Sequence, residues 1–136
     1  MTRRDEFVAA ARSYIGTPFH HQGRVPGVGL DCAGVIVCAA KECGYEIVDV
    51  AGYGRIPANG MLERMVAQHC DSIPFDQVKN GDILLFRFRQ EPQHLAVFAN
   101  GKLIHAYSSI GRVVEHGMDA AWHERLVGCY LLKGVV

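Results

Sequence analysis

No apolar run among the 136 residues approaches the roughly 20 positions that a membrane-spanning helix needs, so no helical span is expected. Net charge is missing too, because 14 basic residues balance 14 acidic ones. Without a basic surplus the chain has no electrostatic footprint for nucleic acid, and no nucleic-acid partner is expected. Cys32, Cys38, Cys43, Cys70 and Cys129 form no C-x-x-C and are odd in number. That argues against a disulfide framework and against a zinc ribbon, and the expectation is no metal and no cofactor. There is no internal repeat, low-complexity tract or obvious linker. The opening residues, Met1-Thr2-Arg3-Arg4-Asp5-Glu6, are charged and lead into a short amphipathic segment, unlike a secretory signal. What remains is an ordinary globular composition, 49% apolar and 21% charged. One domain over residues 1–136 is expected, burying roughly two thirds of the unfolded surface.

Along the chain, Phe7, Ala10, Ala11, Tyr14 and Ile15 make a helical stripe over residues 3–15, stopped by Gly16, Thr17 and Pro18. Residues 16–30 read as a long loop punctuated by glycine and proline, and long loops are often functional. Asp31 then opens an apolar stretch from Cys32 to Cys43 that ends at Gly44, a buried helix with an aspartate cap and a glycine stop. A further helix is expected to start at Asn59 and to carry Met61, Leu62, Met65 and Val66. After residue 75 the pattern becomes strand-like, at 83–88, 94–99, 102–107, 112–116 and 126–132. Helices first and an antiparallel meander afterwards is an α+β pattern.

Asn100-Gly101 between two strands is a strong hairpin signal, and a two-residue turn determines register. If Ala99 faces Lys102, then Ala96 faces His105 and His94 faces Tyr107. His94 and His105 must share one face as diagonal neighbours, with Cβ atoms roughly 5–8 Å apart. Such a pair has three readings. It is half of a metal site, although no Asp, Glu or Cys alternates with it on these strands. It is two ordinary strand histidines with satisfied hydrogen bonds. Or it is a catalytic base with the group that orients it, since a base imidazole needs its second nitrogen held.

Cys32 favours the third. It is the cysteine placed at a predicted helix start after a glycine-rich loop. Helix N-termini lower thiol pKa, a nearby imidazole lowers it further, and the free N–H groups there can stabilise an oxyanion. The other four cysteines read as core or strand residues.

Asp31-Cys32-Ala33-Gly34 resembles the D-C-S/A-G nucleophile motif of the NlpC/P60 cysteine peptidases. Tyr14-Ile15-Gly16-Thr17-Pro18-Phe19 resembles that family's Y-x-G-x-P-Y lead-in, and Gly81-Asp82-Ile83-Leu84-Leu85-Phe86 its G-D-L-x-F strand. His94-Leu95-Ala96-Val97 is similar to the strand bearing the base, and Ile104-His105-Ala106 to the strand bearing the third residue. The motifs stand in family order over residues 5–132. The loop around His20-His21-Gln22-Gly23-Arg24 looks most like the phage and prophage branch, whose members are linked to tail assembly or tail-tip wall digestion.

The resemblance implies a papain-like α+β core, with the nucleophile at a helix start packed on an antiparallel sheet. It implies hydrolysis of peptidoglycan stem peptides, typically at the γ-D-glutamyl–diaminopimelate bond, through a thioester. Cys32 would be the nucleophile, His94 the base and His105 the orienting residue. Phe19, His20, His21, Arg24 and Asp31 are the candidate substrate-binding residues. Phe19 stands where many relatives carry a tyrosine, so that hydroxyl must come from elsewhere, from His20 or His21, or be replaced by backbone N–H groups. His20 and His21 also read as a solvated loop pair, and Arg24 as a solvated cation. The alternatives are a structural tail-assembly protein with little turnover, or an acyltransferase that passes the thioester to an amine. Phage tail proteins are the candidate partners. The chain is expected to be made in the bacterial cytoplasm, without a signal peptide, and to reach the wall in a virion.

Overall fold

The computed structural model describes residues 1–49, 52–53, 60–88 and 91–135, without the side chains of residues 91 and 92. Helix α1 (Arg3–Ser13) begins with a reciprocal cap, in which the Thr2 hydroxyl accepts from Asp5 N and the Asp5 carboxylate accepts from Thr2 N. Helix α2 (Cys32–Glu42) is capped by Asp31 and ends before Gly44, whose φ of +82° suits a residue without Cβ. Between them, the stretch expected as loop contains a short hairpin, β1 (Arg24–Val25) and β2 (Gly29–Leu30). Strands of two residues each are too short to show a period, so the sequence conceals this pair.

Helix α3 (Met61–His69) buries Leu62, Met65 and Val66, as its stripe requires. The start expected at Asn59 lies outside the described residues. Strand β3 (Cys70–Ile73) follows at once, where no strand was expected. The expected strands then appear as β4 (Ile83–Phe88), β5 (Glu91–Ala99), β6 (Lys102–Tyr107), β7 (Arg112–Gly117) and β8 (Leu126–Leu132). A short helix, α4 (Ala120–Arg125), joins the last two. At six residues it is too short for a helical period to show.

The strands form one antiparallel sheet in the order β3-β8-β4-β5-β6-β7. Alternation divides its side chains between two cores. Ile83, Leu85, Leu95, Val97, Ile104 and Ala106 pack with α1, α2 and α3 on one face. Leu84, Phe86, Ala96 and Leu103 pack with Trp122 of α4 on the other. The β5–β6 turn is as expected, with Asn100 at φ +50° and Gly101 at +74°. Asn80 braces it, its side-chain oxygen 2.7 Å from Asn100 N.

The ladder beyond that turn is shorter than the arithmetic implied. It records Ala99↔Lys102, Phe98↔Leu103 and Val97↔Ile104, and no pairing at Ala96 and His105. Residues 16–19 lie along the free side of β7. Gly16 N donates to Val113 O, Val113 N to Thr17 O, and Phe19 N to Gly111 O.

Candidate active site

Asp31 sets the entrance to α2. Its Oδ1 accepts from Gly34 N at 2.8 Å, satisfying one of the free donors of the first turn. The same oxygen accepts from Arg24 at 2.8 Å, while Oδ2 accepts from Gln22 N at 2.9 Å and from the Tyr53 hydroxyl. The loop is thereby folded against the helix end. Cys32 follows directly, only 8% exposed. The backbone N–H groups of Leu95 and Ala33 lie near enough to its sulfur to favour the thiolate, which puts the sulfur beside the strand position that follows His94.

Cys32 and His94 line one cleft, together with Phe19, His21, Asp31, Tyr53, Phe88 and Ala106. Ala106 belongs to the helix-side core, whereas Phe88 packs against the core under α4. The cleft therefore takes its walls from both faces of the sheet, next to the place where the β5–β6 ladder ends. This is how a cysteine on a helix over one face and a histidine pointing to the other reach a common space.

His94 does not stand alone. Its Nε2 lies 2.5 Å from Nδ1 of His105. Nε2 of His105 lies 2.7 Å from Nε2 of His116, and Nδ1 of His116 lies 2.9 Å from the carbonyl oxygen of Gly117. Trp122 covers the row, its ring centroid 5.8 Å from His94, 5.2 Å from His105 and 5.5 Å from His116. Phe88 stacks on His94 at 5.2 Å. Among the described residues, no group of three or more His, Cys, Asp or Glu side chains is arranged to hold a metal ion. The imidazoles run end to end, nitrogen to nitrogen, instead of converging on a point.

The family model described as "NlpC/P60 family" matches residues 16–130. The chain belongs to the NlpC/P60 family. Solved structures agree on the fold. An NLP/P60-family lipoprotein-like protein of Staphylococcus aureus superposes with a TM-score of 0.74 at 18% identity, over 96% of this chain and 41% of that one. The present chain thus spans about two fifths of that protein's length. The NlpC/P60 domain of the peptidoglycan hydrolase SagA gives 0.69 at 24% identity, over 95% and 98%. RipD of Mycobacterium tuberculosis, described as a non-catalytic NlpC/P60 protein adapted to peptidoglycan binding, gives 0.68 at 18%, over 98% of each chain. No match was found among curated proteins. The α+β class and the helix-on-antiparallel-sheet core expected from the sequence are those observed.

Within this NlpC/P60 fold the electrostatics differ from expectation at Cys32. The helix N-terminus and a neighbouring imidazole implied a depressed thiol. Instead, burial pushes Cys32 up to about 12, and the Asp31 carboxylate adds to the rise, against smaller lowering effects from the Leu95 and Ala33 N–H groups and from Arg24. Burial likewise pushes His94 down to about 3 and His105 down to about 2. All three therefore rest uncharged, as a thiol facing neutral imidazoles.

The candidate binding residues separate. Phe19, His21 and Asp31 are on the cleft with Cys32, whereas His20 and Arg24 line a different pocket. His20 is exposed and its Nδ1 donates to the His21 carbonyl. Arg24 is turned inward between Asp31 and Asp49, at 2.8 and 3.0 Å, and also donates to the Tyr53 hydroxyl. A cation so held is not presented to a substrate carboxylate. Three residues on or beside the site had no place in the sequence reading. Tyr53 brings a hydroxyl into the cleft where Phe19 has none, and it comes from a stretch without periodicity. Trp122 sits on the short α4. His116 follows a four-residue connection, 108–111, that does not dictate register as Asn100-Gly101 does.

Proposed function

We propose that the chain is a cysteine peptidase that cleaves an amide bond in the stem peptides of peptidoglycan. One observation carries this. Cys32, at the first turn of a helix, and His94, with its second nitrogen held by His105, share a single cleft. His105 occupies Nε2 of His94, so Nδ1 is the nitrogen that receives the Cys32 proton as the sulfur attacks the scissile carbonyl carbon. The backbone N–H groups of Cys32 and Ala33 have no carbonyl partner within the helix and are the donors for the resulting oxyanion. Collapse expels the amine, which takes the proton from His94 and leaves a thioester on Cys32. Water then gives up a proton to His94 and attacks the thioester carbon, the C–S bond breaks to release the acid, and His94 returns the proton to the Cys32 sulfur.

The bond best suited to this reading is γ-D-glutamyl–diaminopimelate, and the setting is a phage or prophage tail, with tail proteins as partners. The family match and the relation to SagA, a peptidoglycan hydrolase, support the substrate class. Burial of Cys32 and the likeness to RipD favour a second reading, in which the cleft binds stem peptides without cleaving them.

Purified peptidoglycan and a γ-D-Glu–diaminopimelate peptide, incubated with the native protein and with Cys32→Ala, separate the two. The hydrolase reading expects soluble fragments from the native protein alone. Binding by both proteins with release by neither would establish the second reading.

A further inference from the structure

The row of imidazoles ends on a carbonyl, and in a row of neutral rings that end dictates every proton. A carbonyl oxygen accepts only, so His116 Nδ1, 2.9 Å from Gly117 O, carries the hydrogen. When the ring is neutral, its lone pair is on Nε2. Across 2.7 Å it must accept, so the hydrogen of His105 is on Nε2. Neutral His105 in turn has its lone pair on Nδ1, and across 2.5 Å it accepts from Nε2–H of His94. The lone pair of His94 is left on Nδ1. This is the tautomer that can take a proton from Cys32, and the reverse polarity would put a hydrogen there. Burial keeps His94 and His105 neutral, and the same polarity requires a neutral His116, because an imidazolium there would donate from Nε2 and reverse the row.

We infer that His116 is a positioning residue for the base: held by the Gly117 carbonyl, it sets the tautomers of His105 and His94 in succession and delivers His94 with its Nδ1 lone pair free. It acts through His105 and touches neither cleft nor substrate, for it does not line the cleft. The inference extends the proposed hydrolytic reading, yet its geometric part does not depend on turnover.

The test is long-range 1H–15N correlation of the imidazole nitrogens in the native 136-residue chain at neutral pH, which distinguishes a protonated ring nitrogen from one with a lone pair. The expected pattern is a hydrogen on Nδ1 of His116 and on Nε2 of both His105 and His94. His116→Phe removes the acceptor for His105 and is expected to mix the tautomers of His94. It should also lower kcat on peptidoglycan peptides by roughly 10–100-fold with little change in KM. His116→Gln, whose amide oxygen can accept from His105, is expected to restore the native His94 pattern. A hydrogen on Nδ1 of His94 in the native protein would overturn the inference, and so would a His94 pattern unchanged in folded His116→Phe. If the native protein shows the expected tautomers but no turnover, the hydrolytic reading alone fails.

Discussion

The Tyr53 hydroxyl donates to the carboxylate of Asp31, the residue that caps the helix on which Cys32 sits. Arg24 holds the other oxygen of the same group at 2.8 Å. Asp31 is thus both a cap and the buried counter-charge of a guanidinium. Asp31→Ala loses the cap and one of the carboxylates that hold Arg24, Asp49 being another, so a loss of about 3 kcal/mol is expected in urea unfolding. Asp31→Asn keeps an acceptor for Gly34 N and should lose about half as much. A loss under ~1 kcal/mol for the alanine variant would mean that the network contributes little.

Gly34 has a steric role. A Cβ added there would fall well inside contact distance of the Gly23 carbonyl oxygen, where the loop backbone lies on α2. Backbone cannot rotate away as a side chain can. Gly34→Ala is expected to cost ~1–3 kcal/mol and to depress activity by shifting the end of α2 that carries Cys32. Wild-type stability with wild-type peptidoglycan release would show that the loop yields freely.

The uncharged rest state predicts how stability varies with pH. His94 and His105 are held below their ordinary 6.5, so the unfolded chain takes up protons there first. Their contribution is full above pH 6.5 and is lost as pH falls through the window down to about 3, with a slope of up to ~1.4 kcal/mol per pH unit for each ring. Cys32, held above its ordinary 9.0, contributes in full below pH 9 and loses that contribution as pH rises toward about 12. Urea midpoints measured from pH 4 to 10 should be highest between 6.5 and 9. Midpoints that stay level from pH 7 to 5 would contradict neutral buried rings.

The sequence made the His94–His105 relationship legible because a two-residue turn leaves no freedom of register. The Asp31 cap was legible because an aspartate before an apolar run has few other uses. His116 obeys the same diagonal rule one hairpin later, with His105 opposite Val114. Its connection is longer, so register there comes from packing and not from the turn. Tyr53 and Trp122 depend on tertiary contacts of a loop and of a six-residue helix, which no local period encodes. The Cys32 thiol was misjudged for a related reason. Its place at a helix start is local and readable, whereas the burial that outweighs the helix N-terminus depends on how the fold closes around the cleft, with walls such as Phe88 and His94 some 60 residues away in the chain.

Sheets with bare borders invite foreign strands. Here the lead-in at 16–19 is laced to β7 through Gly111 and Val113, and farther along that strand Glu115 is clamped by Arg12 of α1 at 2.8 Å. The opposite border is β3, four residues with Asp71 and Ser72 exposed. A neighbouring molecule thus meets charge or occupied backbone at either rim, a guard against stacking into fibrils when many copies are crowded together.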